Sequence, residues 1–226
     1  MSQPSSGRVI NSADYHDYFI KDGQFIGEFE QMYRNIEDPH HCVALAGRLD
    51  NDLLLTIAEH VRDEVRTALD IGCGLGKLTH RFQQKLPGTA VHACDISETA
   101  VGKAQAAYPE CRFFVHVLGE KPLPFEDGSL DLIQMAQVVW CILEVLQPVC
   151  DDLFRVLRPG GHLAIQNGFY PSTDQKYGGD IVGSTKDLNG FLTRSGFDVR
   201  TEIHINPRDE ANRPTNSVIW AVKPAA

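Results

Sequence analysis

The run ALDIGCGLGKLTHRF, residues 68–82, limits the fold more than any other stretch of the chain. Apolar residues suited to a strand give way to Gly72, Gly74 and Gly76, and helix-forming residues follow at once. Glycine tolerates positive φ and lets another group approach the backbone without a Cβ clash. A strand, a bare turn and a helix in that order form a corner of an α/β sheet, where ligands bind beyond the carboxyl ends of the strands.

The rest of the chain repeats that alternation. Strands are expected at 67–71, 89–94, 111–117, 130–135, 162–166, 197–205 and 217–222. Helices are expected at 75–86, 97–108, 149–157 and 184–195. Ser97 reads as an N-cap, and Arg158-Pro159-Gly160-Gly161 as a stop and turn. Such spacing gives βαβ units and a mainly parallel sheet. The final two strands, joined by a loop alone, are expected to pair antiparallel at the sheet edge. Ahead of the corner, helical patterns cover 19–35 and 44–61. The second places Leu45, Leu49, Leu53, Ile57 and Val61 at four-residue spacing. Residues 1–62 therefore read as an N-terminal helical cap and 63–226 as the sheet domain.

The 226 residues suffice for one domain with a real core. The formal net charge of -9 disfavours a nucleic-acid or anionic-membrane partner, because phosphates want clustered Lys and Arg. The longest apolar stretch, near 138–143, is too short to span a bilayer, and the polar first residues are unlike a signal peptide. A cytoplasmic protein, monomeric or homodimeric, is expected. Six scattered cysteines form no C-x-x-C pair, so they read as small half-buried apolar residues, and no metal site is expected.

The glycine spacing narrows the ligand. A G-x-G-x-x-G frame from Gly72 places Lys77 at the last glycine, and Gly76-Lys77-Leu78 fails the G-K-[ST] of a phosphate-binding loop. Asp70 precedes the glycines instead. An acid there suits a cationic group rather than a phosphate. Asp95, at the end of the second strand, can accept both hydroxyls of a ribose. The pair suggests a phosphate-free nucleoside with an amine-bearing tail.

With ALDIGCGLG (68–76), CDIS (94–97), LPFEDGSLDLI (123–133) and RVLRPGGHLAI (155–165) in order, the chain resembles the class I S-adenosylmethionine-dependent methyltransferases over residues 67–168. Within them it is similar to the small-molecule type 11/12 and nodulation-type N-methyltransferases. The resemblance implies a Rossmann-like α/β fold. Its seven-stranded, mostly parallel sheet would have the last strand antiparallel, helices on both faces and an N-terminal helical cap. S-Adenosylmethionine is the implied cofactor. The backbone of Gly72, Cys73, Gly74 and Gly76 would lie under its methionine part. Asp70 would face its ammonium, Asp95 its ribose and Ile96 its adenine, with Ala136 and Gln137 near the methionine end. Many relatives carry an acid before L-P-F for the adenine amino group. That position falls here at Leu118 or Gly119, leaving adenine to their backbone or to Glu120.

The resemblance implies methyl transfer to oxygen or nitrogen of a small polar metabolite such as a sugar, nucleotide-sugar or natural-product intermediate. An RNA or protein acceptor, or a cofactor-binding subunit without turnover, is the alternative. His40 and His41 follow Asp38-Pro39, where the nodulation-type enzymes commonly have Trp. With Tyr33 they are the candidates for a general base, since His titrates near neutrality. Trp140, Tyr170 and Tyr15 are candidate acceptor contacts. The opposing readings are a solvated histidine turn and a Trp140 packed in the core.

Overall fold

The computed structural model describes residues 9–41, 47–169, 177–205 and 215–225. The chain begins with a short helix α1 (His16–Phe19), a hairpin of β1 (Ile20–Lys21) and β2 (Gln24–Phe25), and α2 (Phe29–Asn35). One helix over 19–35 was expected, and Asp22-Gly23 breaks it. Both residues have positive φ, 52° and 76°, the conformation a two-residue hairpin requires. An Asp-Gly pair between Phe19-Ile20 and Phe25-Ile26 is a hairpin signal that outweighs the helical spacing.

There follow α3 (Leu49–Val61), β3 (Thr67–Ile71), α4 (Lys77–Lys85), β4 (Ala90–Asp95), α5 (Glu98–Ala107), β5 (Arg112–Val115) and β6 (Leu130–Ala136). Then come α6 (Leu146–Val156), β7 (Leu157–Phe169), α7 (Thr185–Arg194), β8 (Asp198–Ile205) and β9 (Thr215–Val222). Seven strands form one sheet in the order β5-β4-β3-β6-β7-β9-β8. All neighbours are parallel except β9, which runs antiparallel to both β7 and β8. The last strand thus slots inside the edge strand β8.

From β3 the chain winds outward to β5, then returns to the other side of β3 to lay down β6 and β7. The strand order reverses between β3 and β6, the switch point at which sheets of this kind hold a ligand in the crevice beyond the carboxyl ends of the strands.

Alternate strand residues feed two cores. Leu69, Ile71, Ile133, Met135, Leu163 and Ile165 face α6 and α7. Ala68, Leu132 and Ala164 face α3 and α4. On α6 the buried Leu146, Val149, Cys150, Leu153 and Val156 repeat at helical spacing. On α3 the buried set is Leu54, Leu55, Ala58 and Val61, while Leu49 is 62% exposed. The four-residue ladder read from the sequence drifts by about 40° per step around a helix of 3.6 residues per turn, so Leu49 turns to solvent, Leu53 and Ile57 pack half-buried beside Ala164 and Val218, and Val61 is buried. Leu45 lies outside the described residues.

The Ser97 cap is as the sequence implies, its Oγ accepting from Ala100 N at 3.1 Å, and α7 is capped by Ser184, whose Oγ accepts from Asp187 N at 3.4 Å. No helix among the described residues is long and apolar enough to cross a membrane.

Candidate active site

The three glycines of the corner do three different jobs. Gly72, at the tip of β3, is exposed with φ 74°. A Cβ there would lie 2.3 Å from Val138 Cγ2, which reaches over from the end of β6. Gly74 is buried, and its N–H donates to Asp95 Oδ2 at 2.9 Å. Gly76 caps α4 with φ 78°. A Cβ there would meet Ala104, Phe113 and Tyr108 at 2.9–3.0 Å. Only Gly72 leaves backbone open to the crevice. Cys94 O accepts from both Gly72 N and Cys73 N, which ties the turn to β4.

Asp95 closes the same turn. Its Oδ2 takes Gly74 N and its Oδ1 takes Ser97 N at 3.0 Å. Burial raises its carboxyl above the usual range, against the lowering effect of those N–H groups. Asp70 lies on the α3–α4 face, where Thr79 Oγ1 donates to its Oδ2 at 2.5 Å. Burial pushes it up to about 6, and the Asp95 charge adds to the rise. Two carboxylates this close to one glycine turn repel a phosphate and favour a cation.

Beside Asp70, in register on β6, stands Gln134. Its buried amide neighbours the Asp70 carboxyl and, with Thr79, works against the rise that burial imposes on it. One strand further, Gln166 donates from Nε2 to Asp50 Oδ2 at 3.0 Å. Asp50 also holds Arg48 through both carboxylate oxygens, at 3.2 and 2.9 Å. Sequence reasoning passed over this polar row. The available signal was Gln134, Gln166 and Asn167 inside otherwise apolar strands.

Other expected residues divide by position. Ala136 ends β6 beside Leu54 and Ala164, with Gln166 as its register partner on β7. Gln137 is exposed with φ 58°, a sparsely populated conformation for a residue with a side chain. Gly168 N and Asn216 Oδ1 bind its amide. Leu118, Gly119 and Glu120 line an open cleft of about 380 Å³ whose far wall is α6.

Trp140 is buried in the core with its ring 6.4 Å from that of Phe169. Tyr33 is enclosed between α2 and α5, and its carbonyl accepts from Lys103 Nζ at 2.6 Å. His41 is exposed, with φ 53°, and its ring stands edge-on to Tyr15 at 6.4 Å. Tyr15 stacks on His16 at 4.0 Å, and His16 pairs with Asp14 at 2.7 Å. The fold thus brings the Tyr15 and His41 rings together, and Tyr15 also packs against the apolar cluster in which Tyr33 is buried. Tyr170 lies outside the described residues, as does the side chain of His40.

The N-terminal elements pack directly over the crevice. Leu75, Ile96 and Cys141 join the cluster of Tyr18, Phe29, Met32 and Tyr33. Phe25 of the hairpin stacks on Tyr177 with ring centres 5.4 Å apart. Among the described residues no group of three His, Cys, Asp or Glu side chains could hold a metal ion.

This strand order, with an open glycine backbone and flanking carboxylates at the switch point, defines a class I S-adenosylmethionine-dependent methyltransferase fold. The family described as "Methyltransferase domain" matches residues 68–161. The chain is 36% identical over 146 residues to the tRNA N(3)-cytidine methyltransferase METTL2 of Gallus gallus, covering 60% of this chain and 40% of the relative. It is 32% identical over 139 residues to an uncharacterized methyltransferase of Mycobacterium tuberculosis, covering 61% and 51%. A crystal structure of a SAM-dependent methyltransferase from Methanosarcina mazei shares the fold. Its TM-score is 0.62 at 22% identity, over 75% of this chain and 98% of that one. The chain spans about half or less of the length of these curated relatives. Residues 68–161 thus carry a methyltransferase domain on the fold of the S-adenosylmethionine-dependent methyltransferases, and S-adenosylmethionine is the cofactor that fold and domain support.

Proposed function

We propose that this protein transfers the methyl group of S-adenosylmethionine to a nitrogen or oxygen nucleophile held beside the carboxyl ends of β6 and β7. The observation that carries the reading is the exposed Gly72 backbone at the switch point, bound through Gly74 to the Asp95 carboxylate. The cofactor fits that cradle: it needs no phosphate site, and its ammonium and ribose suit the two acids. When bound, it supplies a methyl group already activated by the sulfonium, so the protein's task is to align a nucleophile with it.

In this reading Asp95 accepts the ribose hydroxyls and Ile96 faces adenine. The backbone of Leu118 and Gly119, or Glu120, meets the adenine edge. Asp70 faces the ammonium, and the Gly72–Cys73 backbone lies under the methionine chain. Ala136 and Gln137 border the methyl end. Tyr15 and His41 stand together on the N-terminal side, where one of them can orient the acceptor or take its proton.

Two acceptor classes draw on different observations. A base in RNA is supported by the name of the relative METTL2, a tRNA N(3)-cytidine methyltransferase. A small polar acceptor is supported by the net charge of -9. It is also supported by Arg34, Arg48, Arg81, Lys85, Arg155 and Arg158, each of which faces a carboxylate at 2.5–2.9 Å instead of a phosphate.

The test supplies methyl-labelled cofactor with total RNA, nucleotide-sugars and amines in parallel. Label in RNA, weakening steeply with salt, selects the first class. Label in a metabolite selects the second. Calorimetry with S-adenosylhomocysteine tests the cradle: Asp95→Ala should cost about 1.5–3 kcal/mol, roughly 10- to 100-fold in affinity. Equal binding by both proteins would remove the ribose assignment.

A further inference from the structure

The α5 N-terminus, directly after Asp95 and Ile96, is held by a residue from outside the sheet domain. Glu30 of α2 takes Ser97 Oγ at 2.6 Å and Thr99 Oγ1 at 2.6 Å on separate carboxylate oxygens. Thr99 N adds a third bond at 3.1 Å. These contacts cross 67 and 69 residues of chain. The fourth contact is with Arg34, at 2.8 Å on its own helix.

Ser97 is fully buried, and its two ends point to different jobs: its N–H binds Asp95 Oδ1, and its hydroxyl binds Glu30. The carboxylate of Asp95 and that of Glu30 therefore grip the same three-residue turn from two sides. A second tie, Lys103 Nζ to Tyr33 O, lies about one turn past Thr99 on the same helix.

The segment that carries Glu30 is internally braced. Tyr18 is fully buried at its centre, and Asn35 Nδ2 donates to both Ile10 O and Tyr18 Oη, at 2.8 and 3.0 Å. Gln31 joins it to Ile10 N at 3.0 Å and to Glu28 at 2.8 Å. Such a plate docks as a unit, and the docked plate packs its apolar face on Leu75 and Ile96.

We infer that Glu30 is a positioning residue for the cofactor. By fixing the Ser97–Thr99 turn it sets Asp95 and Ile96 in place, so docking of residues 9–36 and binding of S-adenosylmethionine strengthen one another. The inference rests on the cofactor site described above and adds to it a reciprocal coupling, which linkage requires to be equal in both directions.

Calorimetry with S-adenosylhomocysteine on the full chain tests it. Glu30→Ala should raise Kd about tenfold, and Glu30→Gln, which keeps an acceptor for one hydroxyl, by less. Thr99→Val should also weaken binding, and the double variant Glu30→Gln/Thr99→Val should fall short of the product of the two effects, because they share one contact. In turnover the loss should fall on KM for the cofactor rather than on kcat. Hydrogen exchange gives the reverse reading: S-adenosylhomocysteine should slow exchange of amides 16–35 in the wild type and not in Glu30→Ala. Glu59→Gln, which breaks a surface pair with Lys85, is the control and should change none of these.

Unchanged Kd in Glu30→Ala and Thr99→Val, or no ligand-dependent protection of 16–35 in the wild type, overturns the coupling. A wild type that fails to bind S-adenosylhomocysteine overturns the cofactor site itself, and the coupling with it.

Discussion

Asp70 sits where a cofactor ammonium is expected, and without a cation its position is costly. Burial raises its carboxyl from the ordinary Asp range to about 6. A carboxyl raised on folding stabilises the native state below its ordinary pKa, and that contribution is lost as the pH rises through about 6. The charged Asp70 is thus a standing penalty at neutral pH. Asp70→Asn, which keeps an acceptor for the Thr79 hydroxyl, should stabilise the ligand-free protein at pH 8 by up to about 3 kcal/mol. The gain should shrink to nothing near pH 4, followed by thermal unfolding across that range. The same variant should bind S-adenosylhomocysteine more weakly. A variant that is no more stable than wild type at pH 8 would show that Asp70 is already compensated in the native protein. At this scale the Ser97 cap was legible in the sequence, because it acts within three residues of itself. Glu30 was not, because its partners are far along the chain and an isolated Glu on a helix looks like a solvated one.

Among elements, the start of α4 shows how a local motif acquires a tertiary reason. Gly76 could be read from sequence as part of a bare turn. The structure makes it both the left-handed cap of α4 and the point where α5 and β5 press in. Gly76→Ala adds a strained φ and contacts of 2.9–3.0 Å. It should lower stability by about 2–4 kcal/mol in urea unfolding, with the slope of the transition unchanged. A loss under 1 kcal/mol would mean that Ala104, Phe113 and Tyr108 yield easily. The N-terminal elements carry the opposite lesson. Helical spacing over 19–35 competed with one Asp-Gly pair, and the pair won because two consecutive positive φ values cannot be absorbed by a helix. That hairpin delivers Phe25 to Tyr177 and α2 to α5, so the misread element is also the one that covers the crevice.

Across the whole molecule, one carboxylate ties together strands laid down at different times. Asp131, opening β6, accepts from Arg66 N and Thr67 N at the start of β3, at 2.8 and 2.9 Å. It also accepts from Arg158 Nε at the start of β7, at 2.5 Å. Burial works to raise its carboxyl, but the Arg66 and Thr67 N–H groups and the Arg158 guanidinium outweigh it and hold it below the usual range. That stability is present above the unfolded pKa and lost as the pH falls through the lowered one. Asp131→Asn should destabilise the protein by about 2–4 kcal/mol at pH 7, with the gap narrowing in acid; denaturant unfolding at pH 7 and pH 3 reads both. A gap that is the same at both pH values would mean the charge of Asp131 contributes nothing.

What the sequence determined by itself is periodic or punctual: the alternation that makes a mainly parallel sheet, the glycine corner, the two acids at strand ends and the helix caps. Each follows from the backbone preferences of a few adjacent residues. Tertiary structure decided which side chains share a site. It gave the three glycines separate tasks, seated Trp140 in the core, brought Tyr15 to His41 and Asp50 to Gln166, and set Glu30 against the turn after Asp95. Those pairings depend on where crossovers land and how far each helix rotates on the sheet. Both are fixed by packing the whole core, and no local run of residues encodes them.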